Sequence, residues 1–283
     1  MKIPKRILPL VEDGLVDDVV RQLKSGKEAA VFVVRCDGEV RCAKVYKAAH
    51  QRSFHKQAEY GEGRKVRSGR RARAMAKNTR YGRREQETVW QSAEVNALRQ
   101  LEAAGVRVPR VHQFVDGVLL MELVTDAHGN AAPRLDDVAL TQAQAREFHR
   151  FLIDQIVRML CAGLIHGDLS EYNVLVDETG PVIIDLPQAV DAAGNNNACR
   201  MLVRDVDNIT TYLGGFAPEL LDTDYAAEIW ALFESGDLGP STVLTGRFQR
   251  DEQPADVDDV LREIAEAREE ALARRQPVDL DEY

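Results

Sequence analysis

Cysteine is scarce: the 283-residue chain has four, at positions 36, 42, 161 and 199, and no Cys-x-x-Cys pair among them. That spacing argues against a disulfide scaffold and against a thiolate metal centre, so all four are read as reduced and mostly structural. With only 19 Gly and 10 Pro, collagen-like and low-complexity architectures are excluded. No stretch approaches the roughly 18 uninterrupted apolar residues of a membrane helix. The start carries Lys2, Lys5 and Arg6, but only Ile7-Leu8-Pro9-Leu10-Val11 follows before Glu12 and Asp13, so no secretory core forms. A soluble cytoplasmic protein with no membrane partner is expected. No internal repeat is evident.

Apolar material is ordinary, at 45%, and at roughly 150 residues per domain the length allows two domains or one two-lobed unit. The net charge of −9 hides an uneven distribution. Between Lys47 and Arg84 thirteen Lys and Arg face only Glu59 and Glu62, a local +11 that leaves −20 for the remainder. This basic stretch has little periodic apolarity and carries Gly61, Gly63, Gly69 and Gly82, so it reads as a mobile insertion. The last residues, 251–283, hold twelve Asp and Glu against four Arg and read as a peripheral acidic helix or tail.

Residues 29–34 and 39–46 are β-rich runs separated by Asp37-Gly38, a hairpin turn, and should pair antiparallel. Residues 85–104 have helical periodicity through Val89, Ala93, Val95, Leu98 and Leu101, with Gly105 just past the end. The run 117–124 reads as a buried strand. From Leu140, Phe148, Phe151, Leu152, Ile156, Met159 and Leu160 recur at helical spacing up to Gly163. Residues 173–177 and 180–185 form a second hairpin about Glu178-Thr179-Gly180, and helices are expected around 198–213 and 216–235. The pattern is α+β, a small sheet with one helix followed by a mainly α half.

The densest polar constellation follows the helix that ends at Gly163. His166-Gly167-Asp168-Leu169-Ser170-Glu171-Tyr172-Asn173 is succeeded by Ile183-Ile184-Asp185. An Asp and an Asn five apart on a loop, then a second Asp ending the next strand, is the phosphoryl-transfer arrangement. Asp168 can accept a hydrogen bond from an attacking hydroxyl; Asn173 and Asp185 offer hard oxygens suited to Mg²⁺. Lys44 lies mid-strand among apolar residues, where an ammonium needs an anionic partner, and Glu94 on the following helix can supply it. Lys24-Ser25-Gly26-Lys27-Glu28 precedes the first β-rich run and is the candidate phosphate-covering loop, with Ser25 and Lys27 as its contacts. It lacks the two-glycine spacing of a Walker A motif. His166 is read as orienting the loop backbone, and Asp205 as a structural acid for that loop.

The string Ser25-Gly26-Lys27-Glu28-Ala29, Lys44 in Ala-Lys-Val-Tyr, Asp168-Leu169-Ser170-Glu171-Tyr172-Asn173 and Ile184-Asp185-Leu186-Pro187-Gln188-Ala189-Val190 resembles the RIO family of atypical protein kinases, over about residues 15–215. The resemblance implies a two-lobed protein-kinase-like fold: an N-terminal lobe over 1–120 with the flexible insertion 47–84, a hinge at 121–124, a C-terminal catalytic lobe over 125–250 and the acidic tail. It implies Lys44 on the phosphates of ATP, Asp168 as catalytic base, Asn173 and Asp185 on Mg²⁺ or Mn²⁺, and hinge backbone at Met121, Glu122 and Leu123 on the adenine. Autophosphorylation on Ser follows from it, as does a phospho-aspartate at Asp185 in some members. Arg134 matches a segment after the hinge.

Departures from ordinary protein kinases are plain. Asp185-Leu186-Pro187 stands where Asp-Phe-Gly is usual, and the short second lobe leaves little room for an activation segment or a peptide-docking platform. Ala217-Pro218-Glu219 falls too late to be an activation-segment anchor and reads as a helix start with Pro in the first turn. Three functions stay open at this level. The leading one is a RIO-type Ser kinase. The second is an ATP-gated assembly factor contacting a ribosomal particle or RNA through 47–84, where Phe54, Tyr60 and Tyr81 interleave the cations. The third is a small-molecule phosphotransferase.

Overall fold

The computed structural model describes residues 3–26, 29–47 and 80–248, with side chains from Ser92 onward in the helix that begins at Arg80. Lys27, most of the basic stretch and the acidic tail therefore lie outside the described residues. The chain divides into two compact units, Met1–Pro133 with Leu175–Ala189, and Arg134–Val174 with Val190–Tyr283. The first division falls after Pro133, beyond the hinge expected at 121–124.

The first unit is built on a five-stranded antiparallel sheet in the order β1-β2-β3-β5-β4. Its strands are β1 Asp18–Ser25, β2 Ala29–Cys36, β3 Glu39–Tyr46, β4 Val111–Val115 and β5 Val118–Glu122. The β2–β3 hairpin closes at Asp37 (φ 52°) and Gly38 (φ 79°), both left-handed, as a two-residue turn matched to strand twist requires. Strand β1 was not expected. Its side chains are mostly exposed, and two register shifts interrupt its pairing with β2, so it carries no alternation to read. Ser25 thus ends β1, with Gly26 following it, rather than both lying ahead of the first strand.

One face of this sheet is capped by the N-terminal segment. Ile7, Leu10 and Val16, around helix α1 (Leu8–Glu12), pack with Phe32, Val34, Ala43, Val45, Val118 and Leu120. Helix α2, Arg80–Ala103, starts before the expected residue 85, so Arg80–Arg84 belong to a helix rather than to the insertion. Its buried residues Glu94, Val95, Ala97, Leu98 and Leu101 fall on one face.

The hairpin of β7 (Val174–Asp177) and β8 (Gly180–Ile183) completes this unit. The N–H of Ile183 donates to the carbonyl of Arg107 and that of Val176 to Pro133, both at 2.9 Å. Val182 and Leu175 pack on Val124 and Ala132, and Arg107 pairs with Asp177. The turn is closed by Asp177 Oδ1, which accepts from the N–H groups of Thr179 and Gly180.

The second unit is mainly helical: α3 Gln142–Cys161, α4 Ala198–Gly214 and α5 Tyr225–Ser235, with a short pair β6 (Leu164–Ile165) and β9 (Val190–Asp191). Thr141 caps α3 in a reciprocal box with Gln144. Pro218–Asp222 forms a separate 3₁₀ turn with Pro in its first turn, between α4 and α5 rather than as part of one helix from 216. All four cysteines are free.

Candidate active site

Alternation along β3 decides where Lys44 goes. Ala43 and Val45 belong to the apolar core under α1, so Cys42, Lys44 and Tyr46 project to the opposite face. There Lys44 is flanked by its cross-strand partners Val31 and Leu119, and its side chain is only 10% exposed. An ammonium so placed requires acids, and two converge on it. Lys44 Nζ donates to Glu94 Oε1 at 2.6 Å and to Asp185 Oδ1 at 2.7 Å. Glu94 arrives on the buried face of α2 and is 2% exposed; Asp185 arrives at the end of the docked hairpin and is 48% exposed. Asp185 is held at φ 67°, in the left-handed region that Asp tolerates better than most residues.

Burial alone would depress Lys44, but Asp185 and then Glu94 outweigh it and hold the ammonium well above its ordinary range. Tyr46, two residues on and on the same face, donates from Oη to Glu94 Oε2 at 2.5 Å. Cys42 shares that face; burial pushes its thiol up to about 12, which makes it inert.

In the second unit, the loop 166–173 runs between β6 and the start of β7, and α4 fixes it from below. Asp205, 2% exposed, accepts from the N–H of Gly167 at 2.8 Å through Oδ2 and from that of Leu169 at 2.9 Å through Oδ1. Arg204 donates to the carbonyl of Gly167, and Asn208 Nδ2 to that of Leu169 at 3.0 Å. Residue 167 is left-handed at φ 79°, a conformation for which glycine is the natural choice. His166 Nδ1 accepts from the N–H of Asp168 at 3.2 Å, and Asn173 Nδ2 donates to the carbonyl of Asp168 at 2.8 Å. Asp168, between two backbone anchors, presents an exposed side chain. Burial pushes Asp205 up to about 7, while Arg204 and the two N–H donors pull it down.

The family described as the RIO domain matches residues 30–226, which takes in Lys44, Glu94, the whole 166–173 loop, Asp185 and Asp205. The chain belongs to the RIO family. Its fold is the kinase-like α+β arrangement of that family, with the five-stranded sheet, α1 and α2 in one unit and a mainly helical second unit. It is 31% identical to the RIO-type serine/threonine-protein kinase Rio1 of Haloferax volcanii over 207 residues, covering 73% of this chain and 67% of the relative. To the serine/threonine-protein kinase rio1 of Schizosaccharomyces pombe it is 29% identical over 73% of this chain and 40% of the relative. To the Rio1 protein of Methanocaldococcus jannaschii the values are 29%, 72% and 64%. The chain thus spans about two-fifths of the length of the fission-yeast relative and just under two-thirds of that of the second archaeal one.

Within this RIO domain the residues singled out from sequence fall as follows. Lys44, Glu94 and Asp185 come together in the first unit; Asp168 and Asn173 come together in the second. Met121 ends up paired with Cys42 and Val111 near the end of β5, with Leu123 just beyond it, and the Glu122 N–H is used on the Arg110 carbonyl at 2.8 Å. Ser25 and Gly26 are reached by Lys47, whose Nζ donates to the Gly26 carbonyl at 2.6 Å and lies 3.4 Å from Ser25 Oγ. Arg134 precedes a 3₁₀ turn at Leu135–Asp137 without capping it. Sequence reasoning missed Tyr46 and Arg204. Tyr46 had a signal, its i+2 spacing from Lys44 on a strand; the carbonyl held by Arg204 left none.

Proposed function

We propose that the chain is an ATP- and Mg²⁺-dependent serine/threonine protein kinase of the RIO type that also phosphorylates itself, transferring the γ-phosphoryl group of ATP to a serine hydroxyl. The observation that carries this reading is Lys44, a buried cation held between Glu94 and Asp185. A structural ion pair needs one acid; a Lys with one buried and one half-exposed acid is poised to share its charge with phosphate oxygens.

In this reading Lys44 holds the α- and β-phosphates, and Glu94 sets its direction. Ser25 and Lys27 cover the phosphates, and backbone at Met121 and Leu123 meets the adenine. Asp168 accepts the hydrogen bond of the attacking serine and takes its proton as the new P–O bond forms and the bond to the ADP leaving group breaks. Asn173 and Asp185 would hold the metal. One carboxylate and one carboxamide are the hard oxygen donors that Mg²⁺ accepts, with Mn²⁺ as a substitute. The ion supplies charge neutralisation on the phosphate oxygens when bound. Positioning, not covalent chemistry by the protein, supplies the rate. The +11 stretch at 47–84 gives the protein a means of meeting a phosphate-rich partner such as a ribosomal particle.

Purified protein incubated with labelled ATP and Mg²⁺, with and without ribosomal particles, tests the reading. Asp168→Ala is expected to abolish label transfer to protein while nucleotide affinity stays within about threefold, since its loss touches only the hydroxyl side of the reaction. Undiminished transfer by that variant removes Asp168 from its role. Label moving only to water or to a small alcohol replaces the kinase reading with an ATPase or a small-molecule phosphotransferase.

A further inference from the structure

We infer that Tyr46 is a positioning residue of the same machinery: it fixes the Glu94 carboxylate so that Lys44 is held in one place through turnover. The inference rests on the reading of Lys44 as the phosphate-holding group. A carboxylate has two oxygens, and Lys44 Nζ occupies only Oε1 of a side chain that is buried. Held at one oxygen, the carboxylate would swing about its terminal torsion, which has a broad minimum, and would leave a charged oxygen buried without a donor. Tyr46 Oη at 2.5 Å from Oε2 turns that pivot into a two-point hold.

The position of this hydroxyl is set independently of Glu94. Tyr46 is fully buried, its N–H donates to the Gly117 carbonyl at 3.2 Å, and its own carbonyl accepts from Arg6 Nη1 at 2.7 Å. Its ring meets Phe114 edge-on at 6.3 Å between centroids, and Lys44 Nζ stands 5.8 Å from the ring centroid. When Lys44 turns part of its charge toward phosphate, its grip on Glu94 weakens, whereas the bond from Tyr46 does not involve the ligand. Glu94, and with it helix α2, stays against β3. The effect belongs to the catalytic step rather than to ATP capture.

The test is Tyr46→Phe in the full chain, alone and on Lys44→Arg, with kcat and the KM for ATP measured in the labelled transfer assay well below the melting point of each variant. Expected is a fall in kcat of about tenfold, the scale of a sub-ångström misplacement, with KM for ATP within about threefold. On Lys44→Arg the same substitution lowers kcat by less than about twofold, because the hold no longer ends on the native ammonium. If the Phe variant is not folded at the assay temperature, p-aminophenylalanine at position 46 keeps a donor there, and it is expected to retain kcat within about threefold of the wild type. Unchanged kcat in Tyr46→Phe, equal losses on both backgrounds, or loss of kcat with p-aminophenylalanine overturns the inference. Undiminished turnover by Lys44→Arg overturns instead the reading on which it rests.

Discussion

Replacing Asp205 by Asn at pH 8 takes one acceptor from beneath the loop that carries Asp168. In the native arrangement both carboxylate oxygens are used, by the N–H groups of Gly167 and Leu169 at 2.8 and 2.9 Å. A carboxamide supplies one acceptor oxygen and aims an NH₂ at the other N–H, so one buried donor loses its partner and meets another donor. Leaving such a donor unsatisfied costs about 1–3 kcal/mol. In a unit of this size that is a fall in melting temperature of roughly 2–4 °C for each kcal/mol. The loop must also move to relieve the clash, with Arg204 and Asn208 pulling on the carbonyls of Gly167 and Leu169 as it does. Displacement of Asp168 by about 1 Å corresponds to a loss near 10²-fold in turnover. The assay pairs thermal melting with labelled phosphate transfer and nucleotide binding. Lower stability with turnover within threefold of the wild type refutes the claim that Asp205 positions Asp168; unchanged stability refutes the hydrogen-bond accounting itself.

Two more outcomes follow from buried groups elsewhere. Lys44→Met strands the Glu94 carboxylate with only Tyr46 as partner and is expected to lower unfolding free energy by about 3 kcal/mol, the lower end of the cost of breaking a buried pair. Adding Glu94→Leu recovers much of that in urea titrations, though not turnover; no recovery contradicts the assignment of the loss to a stranded charge. His149, buried against Thr210 Oγ1 at 2.9 Å and the ring of Tyr225, is held down to about 4 by burial. It is neutral when folded, so its contribution is fully present above the unfolded value near 6.5 and is lost as pH falls from there through about 4, at most about 3 kcal/mol. His149→Phe should flatten this part of the stability profile, and an equally steep fall in that variant assigns the acid sensitivity to other groups.

The features legible in the sequence were those with a local cause. Asp37-Gly38 declared its hairpin because two left-handed residues in a row have few other uses, and Lys44 declared its need for an acid because it sat in an apolar strand. Glu94 could be matched to it because it lies on the helix that follows, where the phosphoryl-transfer arrangement calls for an acid; its place on the buried face with Val95, Leu98 and Leu101 is a finding of the structure. Strand β1 stayed hidden since an exposed, bulged edge strand has no hydrophobic period. The apolar residues Ile7 and Leu10 roof the sheet, a role that so short a run does not declare because it carries no period to match with a partner. The second acid on Lys44 was not foreseen as such. Asp185 lies 141 residues away, and only the docking of the β7–β8 hairpin onto Arg107 and Pro133 brings it there. Asp205 was anticipated as a support for the loop; its Arg204 neighbour, which grips a carbonyl, was not, because a side chain bound to backbone leaves no complementary residue to find.

The first unit is not continuous in the sequence: residues 175–189 return to it after the chain has already entered the second. Neither unit can therefore be cut out as one fragment. A truncation after Pro133 keeps Lys44 and Glu94 but discards Asp185, together with Val182 and Leu175, which cover Val124 and Ala132. Such a piece would expose apolar surface and leave the cation short of an acid. Recombining this domain with a relative thus requires exchanging at least two separated segments at once, and a chimera joined at the apparent hinge alone would mix a Lys from one parent with an Asp from the other.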